Sequence, residues 1–257
     1  MNLQRIKNRL PNVIRKPLGE ARAVARRLRI WLEIALFIRG SSRKDRQVLR
    51  RAYLAAPIDV FRERSIWRDP VVGQDCKVRV RGLGSFHVRA FSDDLYHVLP
   101  TRERAVFKAI SELLRPGDYF VDAGANIGCY SVLASRLVGE TGHVLAVEMM
   151  PDTAEILRFH LEENNCENVE VRQAALAKRS GDAVSAYVTK GKFGQASIAS
   201  SGGEEEITVQ TITLSDVLGE LGRVRLCKMD LEGAELDALE GAGEALDHVD
   251  AILFEDW

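Results

Sequence analysis

The most informative stretch for predicting the fold is Val121-Asp122-Ala123-Gly124-Ala125-Asn126-Ile127-Gly128. It continues the apolar run 119–121, which is typical of a buried strand, and its small residues allow a tight turn before a helical period begins at Ile127. A second apolar strand ends at Glu148. In doubly wound sheets this arrangement holds an adenosine-containing ligand across the strand ends, where a carboxylate accepts hydrogen bonds from the ribose hydroxyls.

The glycine spacing of this loop indicates which adenosine ligand binds. A dinucleotide site uses Gly-x-Gly-x-x-Gly, because the pyrophosphate must approach bare backbone at a helix N-terminus. Here Asn126 replaces the middle glycine, and Asp122 would repel a pyrophosphate but suits a ligand with an ammonium group and a sulfonium. The order acid, small residue, Gly, three residues, Gly is the pattern of S-adenosylmethionine sites. A Rossmann variant and a chance strand-turn-helix are the alternatives.

Strands and helices alternate from residue 119 to the end of the chain. Strands are predicted at 119–123, 143–148, 168–173, 183–188, 206–213, 224–229 and 251–255, and helices at 127–138, 152–163, 214–221 and 234–240. The alternation implies an α/β fold, a Rossmann-like doubly wound parallel sheet whose ligands collect at the carboxyl ends of the strands. Four of these strands end in acids, which indicates a site: Asp122, Glu148, Asp230 and Glu255.

The composition is that of a folded protein in a reducing compartment. The 257 residues, of which 46% are hydrophobic, suffice for one full α/β domain with an appendage. The cysteines and the five histidines are scattered without metal-ligand spacing, so we assign no disulfide and no metal ligand, and expect a cytoplasmic protein. Cys129, in the first turn of its predicted helix, is either a packing residue or an acidified thiol.

The N-terminal fifth of the chain is strongly basic. Residues 1–51 carry 15 Lys and Arg against three acids, a net charge of +12, whereas the remainder carries −13. The helix predicted from Leu18 to Ile38 has an apolar core of about half the length that a membrane span needs, and Glu33 interrupts it. The segment 18–51 is suited to an anionic membrane surface, to packing on the rest of the chain or a partner, or to a polyphosphate. Because no aromatic residues are interleaved, we do not expect nucleic-acid binding.

Three regions are therefore predicted. They are a basic helical extension at 1–51, leading elements at 52–117 (a hairpin of 77–81 with 85–90, and a helix at 101–114), and the α/β domain at 118–257.

A second dense motif is Lys228-Met229-Asp230-Leu231-Glu232-Gly233-Ala234-Glu235. Asp230 and Glu232 flank the end of a predicted strand, and Gly233 allows the turn. Glu235 opens the next helix, where its charge suits the helix dipole. A capping arrangement needs one acid, and the surplus of two indicates a site.

These segments together resemble the FkbM-type methyltransferases. In order along the chain they are 121–135, the strand ending in Glu148, Asn164 with Asn168-Val169, 174–177, 211–218, 227–242 and 251–255. The segment Lys-x-Asp-x-Glu-Gly-x-Glu is the most specific mark of that family. The resemblance implies a class I S-adenosylmethionine-dependent enzyme, in most members an O-methyltransferase, whose acceptor is a hydroxyl of a small molecule or sugar.

The resemblance also implies roles for individual residues. The cofactor would be bound by Asp122, Gly124, Asn126, Gly128, Glu148 and Ala175, and the acids facing the transferred methyl would be Asp230 and Glu232, with Lys228 beside them. Two departures stand out. Met149 and Met150 separate Glu148 from Pro151 where the family has Glu-Pro, and the chain ends two residues after Glu255 although a class I sheet gains two further strands. We therefore expect the domain to be incomplete at its C-terminus.

The chemistry leaves alternatives open. Asp230 or Glu232 is the candidate general base, worth about 10²–10⁴ in rate, and the competing hypothesis is that both bind a divalent cation. For Lys228 an ion pair with a neighbouring acid is the alternative to catalysis. Segment 193–197 and the side chains of His87, Tyr96 and His97 are candidates for acceptor contacts. A non-catalytic adaptor working through the basic arm, and a nicotinamide-dependent dehydrogenase, are the rival functions.

Overall fold

The computed structural model describes residues 12–62, 70–189, 192–198, 205–219 and 221–254, so Glu255 lies outside the described residues. The helices are α1 (Asn12–Phe37), α2 (Arg43–Arg62), α3 (Asp94–His97), α4 (Arg104–Leu113), α5 (Cys129–Val138), α6 (Pro151–Glu163), α7 (Leu214–Gly219), α8 (Glu235–Ala242) and a 3-10 helix (Gly243–His248). The strands are β1 (Ile38–Gly40), β2 (Cys76–Val80), β3 (Gly84–Val88), β4 (Tyr119–Ala123), β5 (His143–Val147), β6 (Val169–Arg172), β7 (Ala175–Leu176), β8 (Ala183–Thr189), β9 (Lys192–Ser197), β10 (Glu205–Ile212), β11 (Leu226–Met229) and β12 (Ile252–Phe254).

The central sheet is parallel throughout, in the order β12-β11-β4-β5-β6. Its inner strands are almost entirely apolar, as expected where helices cover both faces. Phe120 and Val144 belong to the core that includes α5 and α6, whereas Val121 and Leu145 belong to the core under α7 and α8. The predicted doubly wound sheet is therefore confirmed. The expected incompleteness at the C-terminus stays a prediction.

A second sheet departs from the parallel arrangement. Its order is β7-β10-β8-β9, and β8 pairs antiparallel with both β9 and β10. The strands predicted at 183–188 and 206–213 are thus confirmed as strands; they pair antiparallel with each other, whereas β10 pairs in parallel with β7. Only two residues separate β8 from β9, and parallel neighbours need a crossover of about a dozen residues.

The basic N-terminal helix packs on the rest of the chain. Ile30 and Ile34 of α1 share one buried core with Phe86 of the hairpin, and β1 extends that hairpin by pairing with β2. Of the three interpretations of this arm, the structure therefore shows packing within the chain. None of the described helices is long and apolar enough to cross a membrane. The predicted boundary at 51–52 lies inside α2, and the division into three regions stays a prediction.

Two polar side chains, one in α6 and one directly after it, attach the hairpin of β2 and β3 to the α/β domain. The Asn164 side chain accepts a hydrogen bond from the Ser85 backbone N–H at 2.9 Å and donates one to the Ser85 carbonyl at 2.7 Å. His160 accepts a bond from the His87 backbone N–H at 2.7 Å, and its Nδ1 lies 2.7 Å from the Ile127 carbonyl oxygen. Desolvation lowers the pKa of His160 to about 4, so its ring is neutral at neutral pH. The neutral ring joins the hairpin to the loop 124–128, here called the glycine loop.

Candidate active site

A cleft of about 790 Å³, open to solvent, lies at the carboxyl edge of the central sheet. The predicted site residues that line it are Gly124, Asn126, Glu148, Ala175, Lys228, Asp230 and Glu232. Two predicted residues do not line it. Asp122 is completely buried in β4, and Gly128 directly precedes α5 at φ +87°, where a Cβ would lie 2.4 Å from Leu157 Cδ1.

The glycine loop lies unusually close to the end of β11. Gly124 has φ +77°, and a Cβ there would be 1.9 Å from the Asp230 carbonyl oxygen, so only glycine fits this position. Asn126 also has positive φ, at +49°, and its backbone N–H donates to Glu148 Oε2 at 2.8 Å. The loop therefore joins the end of β5 to the end of β11 around the cleft.

Glu148 is a nearly buried carboxylate, 7% exposed, at the end of β5. Desolvation raises its pKa, while the backbone N–H groups of Met150 (2.9 Å) and Asn126 act in the opposite direction. Each carboxylate oxygen has two lone pairs, so one remains on each for a ligand hydroxyl. The departure from Glu-Pro noted in the sequence is thus part of the site, since Met150 supplies a donor before Pro151 begins α6.

The cleft has the features that an adenosine ligand with an ammonium group needs. Beside Glu148 its wall is apolar, formed by Val147, Met149, Ala175 and Leu176. Asn126 Oδ1 is buried and has no hydrogen-bond partner within the described part of the chain. A buried acceptor of this kind requires a partner, which a ligand ammonium group would provide.

Lys228 and Asp122 form a buried ion pair next to the cleft. Lys228 Nζ lies 3.4 Å from Asp122 Oδ1 and 3.8 Å from Asp230 Oδ2, and it donates to the Gly124 carbonyl at 2.9 Å. Asp122 Oδ2 accepts the hydroxyl of Ser131 at 2.7 Å. Burial by itself lowers the pKa of Lys228, but the carboxylates of Asp122 and Asp230 outweigh it and raise the pKa, so the ammonium stays charged.

The three acids of the second motif have different surroundings. Asp230 lines the cleft with a side chain that is 21% exposed, and Glu232 lines it with positive φ, +52°. Glu235 instead accepts the backbone N–H groups of Leu231 (2.8 Å) and Gly233 (3.1 Å). One acid therefore stabilises the loop itself, and two face the cleft.

Some side chains that line the cleft come from outside the two motifs. His97 does so, with Nδ1 3.2 Å from Asn126 Nδ2 and Nε2 3.3 Å from Asp93 Oδ2, whereas the cleft lining does not include His87 or Tyr96. Arg102 and Tyr130 also line it. Neither was predicted as a site residue, because Arg102 lies outside both motifs and nothing in the segment 121–135 marks the side chain of Tyr130 as one that lines a cleft.

The structure bears on two further hypotheses from the sequence, the acidified thiol of Cys129 and the acceptor contacts of segment 193–197. Desolvation raises the pKa of the Cys129 thiol, so Cys129 is a packing residue and not an acidified thiol. From segment 193–197, Ala196 lines the cleft and the Ser197 hydroxyl donates to the Glu232 carbonyl at 2.9 Å, while the side chains of 193–195 lie outside the described residues. Among the described residues no group of three His, Cys, Asp or Glu side chains is arranged to hold a metal ion.

Comparison with known proteins identifies the family. The model of the methyltransferase FkbM domain matches residues 122–256, more than half of the chain. Methyltransferase 1 of Beauveria bassiana is 30% identical over 192 residues, which are 66% of this chain and 71% of that protein. The hexuronic acid methyltransferase AglP of Haloferax volcanii is 28% identical over 160 residues, 60% of this chain and 62% of that protein.

A solved structure of methyltransferase FkbM from Methylobacillus flagellatus is 19% identical to this chain, with a TM-score of 0.36, and the match covers 60% of this chain and 40% of that one. The family match spans both motifs that line the cleft, the glycine loop and the acidic segment after β11. The chain therefore belongs to the FkbM family of S-adenosylmethionine-dependent methyltransferases.

Proposed function

We propose that this protein transfers a methyl group from S-adenosylmethionine to a hydroxyl of a small molecule or sugar. The observation that carries the proposal is the position of Asp230, an accessible carboxylate in the same cleft as Glu148. One wall thus offers acceptors for ribose hydroxyls and the other offers a base for an acceptor hydroxyl. The name of AglP, a hexuronic acid methyltransferase, supports a sugar as the acceptor.

On the cofactor side, we assign Glu148 to the ribose hydroxyls and the apolar wall with Ala175 to the adenine. Asn126 Oδ1 would accept the ammonium group, and Gly124 allows the loop that carries Asn126 to approach the backbone of Asp230. When bound, S-adenosylmethionine supplies a methyl group activated by its sulfonium. The direct cofactor contacts of Asp122 and Gly128 stay predictions, and Asp122 has a second role in holding Lys228.

On the acceptor side, we assign Asp230 as the general base that accepts the proton of the hydroxyl. Lys228 keeps a positive charge 3.8 Å from it and binds the glycine loop, so it positions Asp230 relative to the cofactor side. Glu232 is the second acid of the same wall. Methyl transfer gains chiefly from such alignment, which supplies up to about 7–11 kcal/mol in ideal intramolecular cases.

The function is tested with a methyl-labelled donor and a panel of sugars, sugar acids and extracted metabolites. Mass and NMR identification of an O-methylated product supports the proposal, whereas label on protein, RNA, nitrogen or carbon contradicts it. Binding of S-adenosylhomocysteine without transfer to any acceptor would instead support the non-catalytic adaptor.

Replacing Glu148 with Gln is expected to weaken S-adenosylhomocysteine binding about 10- to 100-fold, because a charge-assisted hydrogen bond contributes roughly 1.5–3 kcal/mol. Isothermal titration calorimetry measures the change. Glu155→Gln, at an exposed position of α6, is the matched control and should bind as the wild type does. Equal affinities of Glu148→Gln and wild type would remove Glu148 from the cofactor site.

We further propose that α1 makes a peripheral contact with an anionic membrane. Its outward side presents Leu28, Leu32 and Leu36, which are 48%, 61% and 59% exposed, opposite the stripe that packs on the core. These leucines repeat every four residues and lie within the segment of net charge +12, a combination typical of interfacial helices. The cytoplasmic location stays a prediction.

Replacing Leu32 with Glu is expected to weaken binding to phosphatidylserine vesicles about tenfold or more, since burying one leucine contributes roughly 1.5–3 kcal/mol. Vesicle co-sedimentation measures it, with Leu236→Glu on the exposed side of α8 as control. Deletion of 1–51 is unsuitable, because it removes the core residue Ile34. Wild-type protein that fails to sediment with these vesicles would contradict the contact.

A further inference from the structure

A second cleft adjoins the active site, between α1 and the segment that precedes α4. It is open and has a volume of about 860 Å³, and its walls include Arg26, Arg29, Glu33 and Arg102. Arg102 also lines the catalytic cleft, and it is the one described residue that lines both. Its side chain therefore stands where the two clefts meet, and it is only 17% exposed.

The charge around the second cleft is positive. Arg29 and Arg104 both pair with Glu33, at 2.9 and 2.6 Å, and Arg102 pairs with Glu103 at 2.8 Å. These pairs contain three arginines and two acids, an excess of one positive charge. A concave surface with an excess of one sign concentrates ligands of the opposite sign. The cleft is therefore suited to an anionic group.

Arg102 is the side chain best placed to bind that group. Its guanidinium lies over the Tyr96 ring, 5.9 Å from the centroid, and its ion pair with Glu103 holds it from another side. A guanidinium is a planar fork of five N–H donors that matches the oxygens of a carboxylate or phosphate, and a guanidinium held by its neighbours loses little entropy when it binds. Arg102 is thus pre-oriented.

The position of Arg102 favours the acceptor over the cofactor. Glu148 follows β5 and Asp230 follows β11, and β4 separates these strands, so the two acids are about 10 Å apart across the sheet edge. Glu103, which pairs with Arg102, accepts a hydrogen bond from the Tyr130 hydroxyl. Lys228 Nζ lies 5.4 Å from the centroid of the Tyr130 ring and 3.8 Å from Asp230 Oδ2, so these contacts connect Arg102 to the Asp230 side of the cleft. An acid group bound by Arg102 would therefore belong to the molecule whose hydroxyl meets Asp230.

We propose that Arg102 binds a carboxylate or phosphate of the methyl acceptor, so that the enzyme selects anionic acceptors and places their hydroxyl at Asp230. This inference rests on the proposed transfer to a hydroxyl. Because Arg102 precedes residues 122–256, the selectivity would come from the leading region and not from the part that matches the family.

The test uses calorimetry on full-length protein saturated with S-adenosylhomocysteine, with three probes: glucuronate, glucose 1-phosphate and glucose. We expect binding of at least one anionic probe and none of glucose, and the two anions distinguish a carboxylate from a phosphate. Arg102→Gln should weaken anion binding about tenfold or more. Arg102→Lys should weaken it less, because lysine keeps the positive charge but lacks the planar, forked donors of the guanidinium. Arg104→Gln, in the same segment but outside the catalytic cleft lining, is the matched control.

Several results would overturn the inference. One is binding of glucose as tight as that of the anions, or no binding of either anion. Another is an equal loss of anion affinity in Arg102→Gln and Arg104→Gln, which would show that the anion responds to the total positive charge and not to a specific bond with Arg102. A third is weaker S-adenosylhomocysteine binding in Arg102→Gln with unchanged thermal stability, which would assign Arg102 to the cofactor carboxylate. Failure of wild-type protein to bind S-adenosylhomocysteine at all would contradict the proposed function. If the anionic probes still bound in that case, the proposed function would fail while the anion site would remain.

Discussion

Replacing Asp230 with Asn is expected to lower kcat by about 10²–10⁴, the usual contribution of a general base. Asn has the same shape but accepts no proton. Because Lys228 retains Asp122 at 3.4 Å, its buried charge stays paired and the fold persists. S-Adenosylhomocysteine binding should therefore remain within about twofold of wild type, which separates a lost catalytic interaction from lost binding. Single-turnover kinetics with labelled donor and calorimetry measure both.

The control for this variant is Asp237→Asn, which removes an exposed carboxylate of α8 that pairs with Lys178. It should leave kcat unchanged. Assaying the wild-type protein in the presence of a chelator tests the competing hypothesis of a divalent cation. If Asp230 and Glu232 bind a divalent cation, chelation abolishes wild-type activity and magnesium restores it. Retention of more than about a tenth of kcat in Asp230→Asn would contradict the assignment of the base.

Replacing Gly124 with Ala is expected to destabilise the protein by about 3 kcal/mol or more and to abolish cofactor binding. The added Cβ would lie 1.9 Å from the Asp230 carbonyl oxygen and 2.9 Å from its carbon, and both are backbone atoms that cannot rotate away. Either the glycine loop or the end of β11 must move. The same movement would disturb the bond from Lys228 to the Gly124 carbonyl and the bond from Asn126 to Glu148. Urea unfolding and calorimetry with S-adenosylhomocysteine measure the two effects.

Gly82→Ala provides the matched control for backbone conformation. Gly82 has φ +76°, almost the value at Gly124, but a Cβ there would meet nothing within 4 Å. This variant should cost only about 1–2 kcal/mol, the penalty of the left-handed conformation, and should bind S-adenosylhomocysteine normally. If both alanine variants lost the same stability, the close contact between loop and strand would not be the cause.

The elements around the glycine loop could be predicted because their signals are local. β4 has the predicted bounds, since an apolar run followed by small residues ends a buried strand. α5 begins two residues after the predicted start, because Gly128 is left-handed at φ +87° and cannot be part of the helix. By contrast, α2 was not predicted. Its many charged residues and the internal Pro57 obscure the apolar periodicity of the side that packs on the core.

The α/β fold, the family and the acids at the strand ends can all be inferred without a structure, because periodicity, turn chemistry and strand order are local along the chain. The contacts of those acids, by contrast, follow from how the chain folds in three dimensions. The tertiary structure turns Asp122 towards Lys228 inside the fold, turns Glu235 back onto its own loop, and brings Arg102 from the leading region into the cleft. Such pairings depend on distances in space, as between Lys228 and Gly124, which are 104 positions apart in the chain yet joined by a hydrogen bond.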